Sequence, residues 1–257
     1  IAVLVRRHVA NVHRLLAVVV NVYRGRWEAL WSSAKPSVVR LETPDDVMDK
    51  MVYVLSNAVA AGLVERSEHW PGFACSPEDL LDDTGERFER PDRYFDQQGR
   101  TPPDARLVVS KPPGFEHMST AEFVGELRRR LDEREAGLRA AHVAEGRRIV
   151  GARRVLRIPW SESPLTHAPR RVCDPQIAAR DTDVRCRAIQ RLRDFRARYA
   201  DALAQWRDGD RDVRFPAGTY AMRVRFRVRC HDPPAPAPPD PAALPPPPTS
   251  SSTGCPP

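Results

Sequence analysis

The residue best suited by type and setting to covalent chemistry is Tyr53. A phenol can attack phosphorus once its surroundings activate it, and it must stand outside the core to meet a substrate. The residues before it, Thr43-Pro44-Asp45-Asp46, form a turn and cap whose side-chain oxygens and negative charge suit a helix N-terminus. Gly62 supplies the matching stop. At about 100° per residue, Val47, Met51, Val54, Leu55, Ala58 and Val59 fall in one apolar arc expected to face inward. Tyr53 falls on the other side, among Asp46, Asp49, Lys50, Ser56 and Asn57. Two readings fit that placement: a phenol presented for reaction, or a half-buried tyrosine with its hydroxyl in water.

Arginine is the other chemical resource. The net charge of +7 rests almost wholly on it, the lysines being Lys35, Lys50 and Lys111. A guanidinium grips phosphate through two parallel hydrogen bonds, so an arginine excess favours a polyanionic partner. Arg128, Arg129 and Arg130, then Arg147 and Arg148, then Arg153 and Arg154 make one basic run; a solvated helix face followed by a basic loop is the other reading. Arg223, Arg225, Arg227 and Arg229 alternate with Met222, Val224, Phe226 and Val228. Period two predicts a strand with four guanidinium groups on one face, about 7 Å apart, which suits a phosphate backbone or a charge-guarded edge. Tyr23, Trp27 and Trp31 recur every fourth residue, as a buried helical stripe or as base-stacking surfaces beside Arg24 and Arg26.

Other centres are not indicated. Of the histidines at positions 8, 13, 69, 117, 142, 167 and 231, no two stand one residue apart, and His8 and His13 lie about 140° apart on a helix. Five scattered cysteines form no Cys-x-x-Cys pair, so neither a zinc site nor a disulfide framework is expected, and the default compartment is a reducing cytoplasm. There is no Gly-rich phosphate loop ending in Gly-Lys, no Gly-x-Ser-x-Gly and no His-Glu-x-x-His.

The segment Tyr53-Val-Leu-Ser-Asn57-Ala58-Val-Ala-Ala-Gly62-Leu-Val64, continuing through Glu65-Arg66-Ser67-Glu68-His69-Trp70-Pro71-Gly72, resembles the tyrosine segment of REP-associated and related single-tyrosine transposases. Ala58 stands where that family usually has proline. Residues 23–31, Tyr-Arg-Gly-Arg-Trp-Glu-Ala-Leu-Trp, resemble the family's segment ahead of the tyrosine helix. The resemblance implies that Tyr53 is the nucleophile that forms a 5′-phosphotyrosine with single-stranded or hairpin DNA, with Asn57 and Gly62 as helix-motif positions. It also implies a Mg²⁺ or Mn²⁺ ion held by two histidines separated by one hydrophobic residue. That pair is not in this sequence, so no metal is expected on this chain alone and no cleavage by it. A non-catalytic nucleic-acid-binding relative, or a decayed pseudogene product, is the alternative. Because the chain opens at Ile1 within a helical pattern, it is expected to be the C-terminal portion of a longer protein.

The fold expected is α+β but predominantly helical: residues 1–83 as the remnant of a ferredoxin-like transposase domain, 84–105 as a linker, 106–231 as a basic helical extension with a terminal strand, and 232–257 as a disordered proline-rich tail. Residues 1–31 read as one helix. Ser119-Thr120-Ala121-Glu122 is a capping box opening a helix to about residue 145, striped by Phe123, Leu127, Leu131 and Leu138. A second long helix is expected over 183–208, the two pairing as a hairpin. The longest apolar run, residues 15–20, is far shorter than a bilayer span, so no membrane partner is expected.

Overall fold

The computed structural model describes residues 2–31, 38–92, 95–96, 98–99, 101–159 and 175–232. The expected tail lies outside these from residue 233 on. In chain order the elements are helix α1 (Ala2–Arg24), strand β1 (Arg40–Leu41), helices α2 (Pro44–Leu55) and α3 (Asn57–Ala60), and 3₁₀ turns at Ser67–His69 and Pro77–Leu81. There follow strands β2 (Glu86–Glu89) and β3 (Asp104–Leu107), helices α4 (Thr120–Ala144) and α5 (Ala152–Val155), and strand β4 (Ile177–Ala178). Helix α6 (Thr182–Arg207), strand β5 (Arg214–Phe215), helix α7 (Tyr220–Phe226) and strand β6 (Arg229–Cys230) complete it. The fold is α+β, with about half of the described residues helical. Its strands are short and paired in twos: β1 with β4 and β5 with β6 parallel, β2 with β3 antiparallel. No helix among the described residues is long and apolar enough to cross a membrane. The chain divides into a unit within residues 7–190 and a second built mainly from residues 191–232.

Capping residues set the helix boundaries in the first unit. Thr43 Oγ1 accepts from the Asp46 amide (3.1 Å) while Asp46 Oδ2 accepts from the Thr43 amide (3.1 Å), and Ser119 and Glu122 repeat the exchange at the head of α4. At the far end, Gly62 takes φ +69°, with its amide on the Val59 carbonyl and the Leu63 amide on that of Ala58. That is a Schellman stop, as the glycine predicts. Gly25 does the same for α1: at φ +60°, its amide meets Val22 O and the Arg26 amide meets Asn21 O. The first helix therefore ends at Arg24, short of the extent expected from periodicity, and Trp27 and Trp31 lie beyond it.

Met48 and Val52 of α2 pack with Phe123, Val124 and Leu127 of α4, joined by Leu80 and Phe115. The two helices expected in separate modules thus share one core, and between them β2 and β3 pair antiparallel, Glu86 opposite Leu107 and Glu89 opposite Asp104. The α2 face is also turned from the expected arc. Met48 and Val52 are buried, Val54 is exposed, and Asp46 and Ser56, placed on the tyrosine's side, are buried. A packing partner supplied from residue 120 onward chose the face; the arc alone did not. Further along α4, buried Glu135 accepts from the Ser67 amide (2.9 Å), and the His142 Nε2 stands 2.9 Å from the Val59 carbonyl.

An ion-pair lattice laces α4 to its neighbours. Arg130 reaches Glu126, Asp45 and Asp49; Arg128 reaches Glu68 and Glu78; Arg129 reaches Glu126 and Glu133. Hydrogen bonds from Arg129 and Arg130 hold the Glu126 carboxyl at about 2, below its ordinary 4.5. A carboxyl depressed in the folded state stabilises above its unfolded pKa and loses that contribution as pH falls through the folded value. Stability should therefore decline from about pH 5 toward about pH 2, and Glu126→Gln should flatten part of the decline in urea melts taken across that window.

The second unit buries the α6 stripe on its own C-terminal segment: Ala202, Phe215, Met222 and Val228 form the core, with Tyr199, Leu203 and Trp206 against it. Tyr199 meets Phe215 edge-on at 5.7 Å, and Trp206 meets Phe226 at 5.5 Å. Of the two long helices, α4 contributes to the first core and α6 to the second. The strand expected over 220–230 is instead α7, an αL residue at Arg227 (φ 53°) and two residues of β6. Met222 and Val228 are buried while Val224 and Phe226 are exposed, so the period-two reading fails on its apolar half as well.

Candidate nucleic-acid interface and tyrosine site

Tyr53 projects from α2 opposite the core and is 47% exposed. The Lys50 ammonium, one turn earlier, lies 4.5 Å from its ring centroid, a cation against the π face. Lys50 also lines a shallow depression of about 340 Å³ between α2 and residues 177–185, which Arg180 and Arg185 share. Its walls are fixed. Asp46 Oδ1 accepts the Arg180 amide at 2.7 Å, and Arg185 Nη1 donates to the Ala179 carbonyl at 2.9 Å. Lys50 thus lies against the phenol ring and also lines the depression with Arg180 and Arg185, three cationic side chains of which sequence reasoning assigned none to a site. Lys50 was legible as the tyrosine's i−3 neighbour; the other two lie more than 120 residues away in sequence and carried no such signal.

Asn57 is the exposed first residue of α3, and its carbonyl accepts the Ala61 amide at 3.0 Å. Gly62 also serves as a docking point. Its carbonyl accepts the Val150 amide (2.9 Å) and that of Leu63 accepts the Gly151 amide (2.9 Å), so residues 147–157 are pinned to the end of the tyrosine segment.

The proposed arginine groups have different fates. Arg128, Arg129 and Arg130 are committed to carboxylates, which already neutralise them. Arg223, Arg225, Arg227 and Arg229 do not form a ladder, because α7 and the αL turn point them in different directions, and Arg229 pairs with Asp212 at 2.9 Å. Arg147, Arg148, Arg153 and Arg154 remain exposed, the nearest carboxylate contact being Arg147 to Glu145 at 3.9 Å. Arg157 extends this group. The short helix carries Arg153 and Arg154, and the turn after it, closed by the Arg157 amide on the Arg154 carbonyl at 3.0 Å, brings Arg157 in behind them.

A Mg²⁺ or Mn²⁺ ion of the kind the resemblance implies finds no fitting set beside Tyr53. Asp46 is taken up by Thr43 and the Arg180 amide, and Asp49 by Arg130 and Arg180. Among the described residues, no group of three His, Cys, Asp or Glu could hold a metal. Compared with protein-family models, curated proteins and solved structures, the chain has no match.

Proposed function

We propose that the chain is a nucleic-acid-binding relative of single-tyrosine transposases, in which the arginines of residues 147–157 hold the phosphate backbone and Tyr53 is the strand-cleaving nucleophile of the lineage. The observation that carries the binding half is the exposed, carboxylate-poor arginine group pinned through Gly62 and Leu63 to the tyrosine segment. Phosphate contacts of this sort supply sequence-independent affinity. A ferredoxin-like ancestry for residues 1–83 belongs to the same proposal, resting on the resemblance of residues 53–72.

The covalent step balances without other reactants. The Tyr53 oxygen attacks phosphorus, the bond to the 3′ oxygen breaks, and the released 3′-hydroxyl takes up a proton while the phenol's proton passes to solvent. Attack by a 3′-hydroxyl on the phosphotyrosine restores the phenol. The commitment of Asp46 and Asp49 to protein partners favours a second reading for the chain as it stands: binding without cleavage.

Hairpin DNA should be retarded by the chain in native gels, with no covalent adduct under Mg²⁺ or Mn²⁺. With a His-x-His strand fused ahead of residue 1, an adduct stable to denaturing electrophoresis should form, and Tyr53→Phe should abolish it. An adduct that persists in the phenylalanine form removes Tyr53 from the mechanism.

A further inference from the structure

Residues 1–31 carry five arginines (Arg6, Arg7, Arg14, Arg24 and Arg26) against one acid, Glu28: a net +4 of the chain's +7. At the end of this segment the chain is built into a tip. After the Gly25 stop it doubles back along α1, where Asn21 Nδ2 donates to the Glu28 carbonyl at 2.8 Å. Trp31 Nε1 donates to the His13 carbonyl at 2.8 Å, and its ring stacks on that of His13 at 4.8 Å. These contacts anchor one indole and turn another outward. Trp27 is 91% exposed and Tyr23 is 73% exposed, the two most solvent-open aromatics among the described residues.

Tryptophan carries a large apolar face that a folded chain ordinarily covers. Here the turn that would let it pack is spent on holding it out, between Arg26 and Glu28, which pair with each other at 2.9 Å. Flat aromatic faces in a segment of net positive charge match a ligand that is itself flat-faced and polyanionic. In duplex DNA the base faces are stacked inside and out of reach, whereas in a single strand they are open. An anionic bilayer also suits arginines and aromatics, but it would have to take Trp27 into its interface. The neighbouring Arg26–Glu28 ion pair (2.9 Å), whose carboxylate is 62% exposed, would then be drawn out of water with it, whereas stacking on an open strand leaves the pair in solvent.

We infer that Tyr23 and Trp27 form a stacking platform for unpaired bases of single-stranded nucleic acid, drawn there by the net positive charge of residues 1–31. This rests on the nucleic-acid reading above but on different residues.

The test compares the full chain with a Tyr23→Ser/Trp27→Ser variant, using a labelled oligothymidylate, its duplex with oligoadenylate, and phosphatidylserine vesicles. Both side chains are exposed, so the variant should keep the parent's circular dichroism and melting temperature. Stacking of a base on an aromatic is worth enough that the variant should bind oligothymidylate roughly ten- to a hundredfold more weakly, while its salt slope stays at the parent's value because no phosphate contact is lost. Duplex binding should be unchanged. Equal affinity of the two proteins for oligothymidylate overturns the platform, as does an equal loss on duplex, or vesicle binding that depends on these residues while oligothymidylate binding does not. If the parent fails to bind oligothymidylate at any salt, the nucleic-acid reading falls and the platform with it. If the parent binds with an arginine-dependent slope and the variant matches it, only the platform falls.

Discussion

Phe123→Ala is expected to cost about 3–5 kcal/mol of stability, the range for deleting a fully buried aromatic ring and leaving a cavity. Phe123 is 0% exposed and sits one turn into α4, where the Ser119 cap has already fixed the backbone. Its ring meets Phe115 edge-on at 4.7 Å and belongs to the cluster that includes Met48 and Val52 of α2. No described polar network crosses this cluster to compensate for the loss. A small domain has only about 5–15 kcal/mol in total, so the substitution should move the urea midpoint by a large fraction of its value. The same ring positions the helix that carries Tyr53, so the variant should lose adduct-forming ability in the His-x-His fusion at temperatures where the parent retains it. A loss below about 1 kcal/mol would mean that α2 and α4 do not share this core.

The features legible in advance were those decided by neighbours in the chain. Thr43 with Asp46, Ser119 with Glu122, and Gly62 each act over a few residues, so their chemistry announced the boundaries of α2, α3 and α4 directly. Tyr53 was placed outside the core for the same reason, although the buried face of its helix was off by about a quarter turn. What failed depended on partners far away or on a stop that periodicity ignored. Gly25 cut a pattern of every-fourth-residue aromatics that reads as continuous helix, and so left Trp27 in solvent. The alternation from Met222 to Val228 mimics a strand, yet a helical turn buries Met222 on Phe215 and leaves Val224 outside. The Arg128 to Arg130 triplet looked like a phosphate-binding run although Glu126 and Glu133 stand within four residues of Arg129; the partners of Arg128, Glu78 and Glu68, and two of those of Arg130, Asp49 and Asp45, lie 50 to 85 residues away. Local charge cannot reveal such partners. The arginines that do stay open, Arg148, Arg153 and Arg154, have fewer acids close by in sequence: Glu145 lies three residues before Arg148, and no acid lies within four residues of Arg153 or Arg154.

That difference is the basis of the second large effect. Replacing Arg148, Arg153 and Arg154 together by glutamine should remove up to three phosphate contacts. For single-stranded DNA each contact contributes about 0.7 to the slope of log affinity against log salt, so the slope should fall by about 2. Affinity at low salt should fall with it, and the unfolding midpoint should stay near the parent's, since these side chains are exposed and hold no carboxylate among the described residues. The Arg128, Arg129 and Arg130 triple to glutamine should do the reverse. It strips the lattice that ties α4 to α2 and to the 68–78 segment, at a cost of about 1–2 kcal/mol, and leaves Glu68, Glu78 and Glu126 without their cations. Its salt slope for DNA should match the parent's, because guanidinium groups already neutralised by carboxylates release no DNA counterions. The two triples remove the same formal charge from the same chain, so net charge cannot account for opposite outcomes. If both lower the slope equally, DNA responds only to overall charge, and residues 147–157 are not a defined interface.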